Sequence, residues 1–371
     1  MKKIVIAFVL PVVLFTAIIL SMSSLILLDA FVLDRELAAD TTVNRRPPVT
    51  EPMTSTSGTL PDGPLPPVSD SLGSENPGDN PDEPIEPDDP LDTETPPNIE
   101  VPTPDYPILT ENSYQDENIK ITIEERYVEN QNGIHNRVFV VDLKLSSIEY
   151  LRTFINFEGK KVVKTTVSAM AEKNDAIFAI NGDFFTMRDY GFVLRNYVIY
   201  REWARAANDK FSDDALLFLS DGTMMIVDES EVYYNGVPSA NGLPLDTYQC
   251  FAFGPRLVEA GEITVSENDE VGQAAAANPR TAIGMIEPLH YKIVVAEGRL
   301  ERYHKLDGMT LYELATFMKS LGCGIAYNLD GGSSSTIYFN GEVLNETPDD
   351  ERRISDCIYI NGKSFSEEVD E

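Results

Sequence analysis

Asn328-Leu329-Asp330-Gly331-Gly332-Ser333-Ser334-Ser335-Thr336 is the stretch on which the reading of this chain turns. A helical pattern, Thr310 to Leu321, and a short apolar run, Gly324 to Tyr327, lead into it. Two glycines after an acid let the backbone turn sharply and approach a ligand closely. The hydroxyls that follow supply small donors and acceptors. Asp-Gly-Gly alone is also an ordinary turn, so the stretch needs a second witness.

Asp175-Ala176-Ile177-Phe178-Ala179-Ile180-Asn181-Gly182-Asp183-Phe184-Phe185 supplies it. Here too a helical segment, Thr165 to Asn174, runs into an apolar strand that ends in a polar glycine turn. Laying Asn181 on Asp330 puts Gly182 on Gly331 and Ile180 on Leu329. The two units read as a pseudo-repeat of helix, strand and turn. Such a repeat would bring Asp183 and Asp330 to one cleft.

The rest of the 371 residues divides by composition. Residues 1–38 open with Lys2 and Lys3 and run apolar from Ile4 to Leu28, longer than the core of a cleaved signal. The charge asymmetry predicts an uncleaved signal anchor, with the N-terminus in the cytoplasm and the remainder outside the cell membrane. Residues 39–107 are rich in Pro, Asp, Glu, Ser and Thr and predict a disordered linker. Extended, that stalk would reach on the order of 200 Å. Residues 108–364 read as one globular catalytic head, and 365–371 as an acidic tail. A net charge of −32 argues against a nucleic-acid partner. Cys250, Cys323 and Cys357 are too few for a disulfide scaffold and read as buried thiols; the three histidines show no metal spacing.

Within the head, Ile119–Ile123, Val138–Leu145, Phe192–Tyr200, Phe251–Leu257 and Tyr291–Ala296 read as strands. Ser220-Asp221-Gly222-Thr223 and Asn340-Gly341 read as hairpin turns. Thr310 and Glu313 have the form of a capping box, and Gly322 stops that helix. The sum is an α+β fold of many strands in mixed or antiparallel sheets with few helices. Arg280, just after Pro279 and before a strand of small residues, is placed to aim a guanidinium fork at phosphate.

Four motifs in order then resemble the phosphodiester glycosidase family. They are Asn181-Gly182-Asp183-Phe184-Phe185, Asn278-Pro279-Arg280-Thr281-Ala282-Ile283-Gly284, the Asp330 stretch, and Arg352-Arg353-Ile354-Ser355. Ser333 stands where the family more often has a third glycine, and Glu297-Gly298-Arg299 where it often has Asp-Gly-Arg. The resemblance implies hydrolysis of the bond between a sugar's anomeric carbon and phosphate, on an N-acetylhexosamine in cell-surface or exopolysaccharide material. Asp183, Asp330 and Arg280 are the expected catalytic groups. Asn181, Gly182, Gly331, Gly332, Ser333, Ser334 and Arg353 are the expected substrate contacts, with the Gly331 and Gly332 amides facing the phosphate. No cofactor, metal or protein partner is implied. Two readings compete: an enzyme holding calcium between Asp183 and Asp330, and a non-catalytic wall-polymer binding protein.

Overall fold

The computed structural model describes residues 106–362 apart from 184, 189, 203–213, 270–276, 301–306 and 349. The expected anchor, nearly all of the linker, Phe184 and the acidic tail lie outside the described residues. Among the described residues no helix is long and apolar enough to cross a membrane.

The head is sheet-rich α+β. A nine-stranded sheet holds the long hairpin Ile119–Glu129 and His135–Leu145, followed across the sheet by His290–Ala296, Arg280–Glu287, Ile325–Asn328 and Arg256–Glu259. A five-stranded sheet is ordered Glu342–Val343, Ile337–Phe339, Ala176–Asn181, Asp356–Asn361, Arg152–Ile155. A second five-stranded sheet is ordered Val198–Arg201, Val193–Arg195, Thr247–Phe251, Asp214–Leu219, Met224–Asp228. Every strand pair among the described residues is antiparallel.

Alternation along the strands explains how three sheets share one core. Phe178 and Ile180 enter the main cluster, while Ala179 turns to the other side and packs with Val167, Met170 and Ala171 of the helix Val167–Lys173. Leu216 and Phe218 likewise enter the main cluster, and Ala215 and Leu217 face a separate one with Leu194 and Cys250. Fully burying a side chain such as Leu or Phe contributes about 1.5–3 kcal/mol, so these faces hold the sheets together.

The longer helix, Leu311–Ser320, has the expected capping box: Thr310 accepts from the Glu313 amide and Glu313 bonds back to the Thr310 amide. Leu311, Leu314, Ala315 and Met318 form its buried face. It sits close to the strand Arg280–Glu287 at Gly284, where a Cβ would lie 2.8 Å from Met318 Cε and 2.7 Å from Cys323 Sγ. Gly322 ends it at φ +87°.

Two expected strands are each divided. Phe192–Tyr200 is a hairpin, Val193–Arg195 and Val198–Arg201, because Asn196 and Tyr197 both take positive φ, at 50° and 67°. Phe251–Leu257 breaks at Gly254-Pro255, which separates Thr247–Phe251 from Arg256–Glu259. The Gly222 and Asn340-Gly341 hairpins form as the sequence predicts. Cys250, Cys323 and Cys357 are free and buried.

Candidate functional site

The two glycine turns meet. Each follows a Thr-capped helix and an apolar strand, Ala176–Asn181 in the central five-stranded sheet and Ile325–Asn328 in the nine-stranded one. Asn181 Nδ2 donates to the Asp330 carbonyl at 2.8 Å and to the Gly182 carbonyl at 3.1 Å. Its Oδ1 accepts from Thr281 Oγ1 at 2.8 Å and from the Thr336 amide at 3.3 Å. One buried carboxamide therefore ties both turns to the strand Arg280–Glu287, and its hydrogen bonds go to protein groups.

Asp183 lies beneath the surface, 3 % exposed. Oδ1 accepts from the Phe185 amide at 3.2 Å and Oδ2 from the Ala252 amide at 3.0 Å. Arg195 Nη2 lies 3.0 Å from Oδ1. Arg195 also binds Asp356 through Nε at 3.1 Å and Nη2 at 3.0 Å, and its Nη1 donates to the Cys250 carbonyl. Burial alone would weaken the guanidinium's charge, but its carboxyl partners, Asp183 foremost, hold it above its ordinary value. Gly182 is required by this packing, because a Cβ there would stand 2.5 Å from Asp356 Oδ2.

Asp330 keeps 8 % of its surface. Burial pushes its carboxyl up to about 6, against a hydrogen bond from Ser334, the charge of Arg352, and the Gly331 amide at 2.8 Å. Arg352 Nη1 reaches Ser334 Oγ at 3.4 Å. Arg188, whose Nη2 donates to the Ala252 carbonyl, adds a further positive charge felt by Asp330.

Arg280 packs its stem on the turn, its Cδ 3.9 Å from where a Gly331 Cβ would be. Its Nε donates to the Met309 carbonyl at 2.9 Å. Burial and the nearby charge of Arg299 lower it to about 10. Arg299 stands over the turn, its Nη1 3.4 Å from a Cβ built on Gly332. The expected phosphate-facing amides are corrected by the hydrogen bonds: the Gly331 amide donates to Asp330 Oδ1 and the Gly332 amide to the Pro279 carbonyl at 2.9 Å. Arg352 and Arg353 are both exposed, and it is Arg352 whose Nη1 comes within 3.4 Å of Ser334 Oγ. Ser333 is half-buried beside it.

The residues that sequence reasoning missed are thus Arg188, Arg195, Arg299, Arg352 and Asp356. Below them, Glu229 accepts from the Phe192 amide at 2.6 Å and is raised to about 7 by burial. Arg201 holds the Asp183 loop through the carbonyls of Phe185, Arg188 and Gly191 at 2.7–2.9 Å. The arrangement presents a buried carboxylate that feels the guanidinium charges of Arg352 and Arg188, beside a second set of buried charges around Asp183.

Three comparisons bear on this geometry. The profile of the phosphodiester glycosidase family matches residues 174–361, which is half of the chain and includes both turns. The SPbeta prophage-derived uncharacterized protein YomE of Bacillus subtilis (strain 168) is 27 % identical over 201 residues, covering 53 % of this chain and 30 % of that relative. The chain thus spans under a third of the curated relative's length. Among solved structures, the catalytic domain of zebrafish N-acetylglucosamine-1-phosphodiester alpha-N-acetylglucosaminidase, auto-inhibited by its pro-peptide, is 18 % identical with a TM-score of 0.48. That likeness covers 66 % of this chain and 84 % of that one. A hypothetical protein from Synechocystis is 16 % identical with a TM-score of 0.43, over 66 % and 62 % of the two chains.

Proposed function

The chain belongs to the phosphodiester glycosidase family, and from that premise we propose that it hydrolyses glycosyl-1-phosphodiesters at Asp330. The observation that carries the reading is the inequality of the two carboxylates. Both oxygens of Asp183 are bonded to buried protein groups. Asp330 is held by the Gly331 amide and Ser334, feels the charges of Arg352 and Arg188, and is raised to about 6 by burial. In this scheme Asp330 acts on the anomeric carbon, directly or through a water it deprotonates. The C1–O bond breaks, its electron pair leaves with the phosphate, and water completes the free sugar.

A phosphate monoester is a good leaving group, so the site needs charge stabilisation more than a strong acid. Arg280 feels the charge of Arg299, and both reach the Gly331-Gly332 turn, so an anion bound there would relieve their mutual repulsion. Asp183 serves as a fixed charge that holds its loop. Asn181 and Gly182 shape the junction, while Ser333, Ser334 and Arg352 line the approach. The substrate class is an N-acetylhexosamine-1-phosphodiester of cell-surface or exopolysaccharide material. The N-terminal apolar segment would hold the enzyme to the outer face of the cell membrane. No step calls on a cation, and Arg195 already offsets the charge of Asp183.

The test is release of free N-acetylglucosamine from a methyl N-acetylglucosamine-α-1-phosphodiester by the purified chain, with and without EDTA. Turnover insensitive to EDTA is expected. Turnover lost in EDTA and restored by calcium would replace the metal-free scheme. Polymer binding without release of sugar from any diester in a panel would replace it with the binding-protein reading.

A further inference from the structure

Three charged groups lie sealed beneath the Asp330 turn. Arg195 reaches Asp356 Oδ2 through Nε and Nη2, and Asp183 Oδ1 through Nη2. None of the three side chains is more than 1 % exposed. Two carboxylates therefore share one guanidinium. Were both ionised, a net negative charge would sit out of reach of water, which costs several kcal/mol. Adjacent carboxylates in such a setting keep one proton between them.

The hydrogen bonds decide which one holds it. Asp183 accepts from two backbone amides and from Arg195, using both oxygens. Asp356 takes both guanidinium bonds on Oδ2, and its buried Oδ1 meets no donor. Ionised, that oxygen would be a bare buried charge; protonated, its O–H forgoes one acceptor, the smaller cost for a neutral group. We propose that Asp356 is kept as an uncharged carboxylic acid, which makes the Asp183–Arg195–Asp356 group neutral, and that Asp356 is thereby a positioning residue for the reaction at Asp330. It braces Arg195 against Asp183, and by staying neutral it keeps a second negative charge away from Asp330.

The charges facing Asp356 come from three elements. Arg195 lies on Val193–Arg195, Asp183 on the turn after Ala176–Asn181, and Asp330 on the turn after Ile325–Asn328. The neighbouring strand Arg152–Ile155 sets the apolar Ile155 opposite it. Burial raises the carboxyl to about 8; Arg195 opposes this, and Asp183 and Asp330 add to it. A group raised in the folded state stabilises most below its unfolded value of about 3.9 and loses that contribution as pH climbs to the folded value.

Asp356→Asn replaces the acid by a neutral isostere whose oxygen can accept both guanidinium bonds. Its thermal midpoint should gain on the wild type between about pH 5 and about pH 9, because only the wild type loses stability over that span. With the methyl N-acetylglucosamine-α-1-phosphodiester at pH 7, kcat should stay within about threefold of wild type and the acid limb of kcat/KM should not move. Asp356→Ala, which removes the brace, should lower kcat by at least about tenfold. An Asn variant that loses on the wild type as pH rises would overturn the proposal, and so would one as impaired as Asp356→Ala.

Infrared difference spectra of the wild type against Asp356→Asn supply a second measurement, because Glu229, raised to about 7, also holds part of its proton near neutral pH. A carboxylic acid band in the difference that persists at about pH 7.5 and is lost by about pH 9 is expected, and its absence at the lower pH would also overturn the proposal. The positioning part rests on the glycosidase reading. Unfolding and infrared arms need no turnover, so an inactive wild type would sink that reading alone.

Discussion

The turn after Asn181 and the turn after Asn328 are built alike and treat their carboxylates in opposite ways. Each follows a helix capped by threonine and a buried strand, and a single side chain, Asn181, ties them together. Asp183 is surrounded by donors and faces a guanidinium at 3.0 Å. Asp330 is raised to about 6 by burial, against Ser334, the Gly331 amide and the charge of Arg352. On the proposed reading, that difference separates a supporting turn from a working one.

The sharpest way to break the comparison is Asp330→Asn. Turnover should fall by about 10²–10⁴-fold, the range for loss of a positioned base or a comparable group. Stability should move the other way. The folded carboxyl of Asp330 is raised, so its contribution is full below about 3.9 and is lost as pH rises to about 6. At pH 7 the ionised form is a net cost, and removing its charge should raise the thermal midpoint. Kinetics and thermal unfolding on the same sample check both signs; a variant that loses stability with its activity would place Asp330 among the supporting groups.

Asp183→Asn is the mirror of that experiment. It leaves Arg195 facing one partner instead of two, in a site closed to water. Breaking a buried pair of this kind costs about 3–5 kcal/mol, an upper bound for this site because Asp356 can then ionise against Arg195. A loss of unfolding free energy up to that size at pH 7 is expected, with activity lost only as far as the folded fraction is lost. A fully stable but inactive Asp183→Asn would assign Asp183 to the chemistry and erase the distinction.

The sequence makes one half of this contrast more legible than the other. Helix caps, glycine turns and hairpins are written in local spacing, so both turns and the helices before them can be read directly. The supporting charges are not local. Arg195 lies inside an apolar run that reads as one continuous strand, although Asn196 and Tyr197 turn it into a hairpin. Asp356 opens an alternating strand, where an acid looks like the end of a loop. The signal present was a charge inside an apolar run for Arg195 and a charge at the mouth of one for Asp356. A charge in such a place needs a buried partner of opposite sign, but only the fold says which one. Arg352 and Arg353 show the same limit at shorter range. Adjacent residues on an extended chain point to opposite sides, and spacing alone did not say which reaches Ser334.

The smallest expected effect is also the finest test of how the Asp330 carboxylate is tuned. Ser334 stands between Asp330 and Arg352: its hydroxyl bonds to the carboxylate, and its oxygen lies 3.4 Å from Arg352 Nη1. The bond from Ser334 lowers the Asp330 carboxyl against the burial that raises it. Ser334→Ala should therefore move the acid limb of kcat/KM to higher pH, while the plateau above it stays within about tenfold of wild type, because Asp330 is ionised there in both. Asp330 would still ionise, only later. Had Ser334 instead been a substrate contact, as its place in the motif first suggests, KM would rise across the whole profile and the limb would stay where it is. The pH profile thus distinguishes a hydroxyl that tunes the carboxylate from one that holds the sugar, without requiring a large loss of rate to be seen.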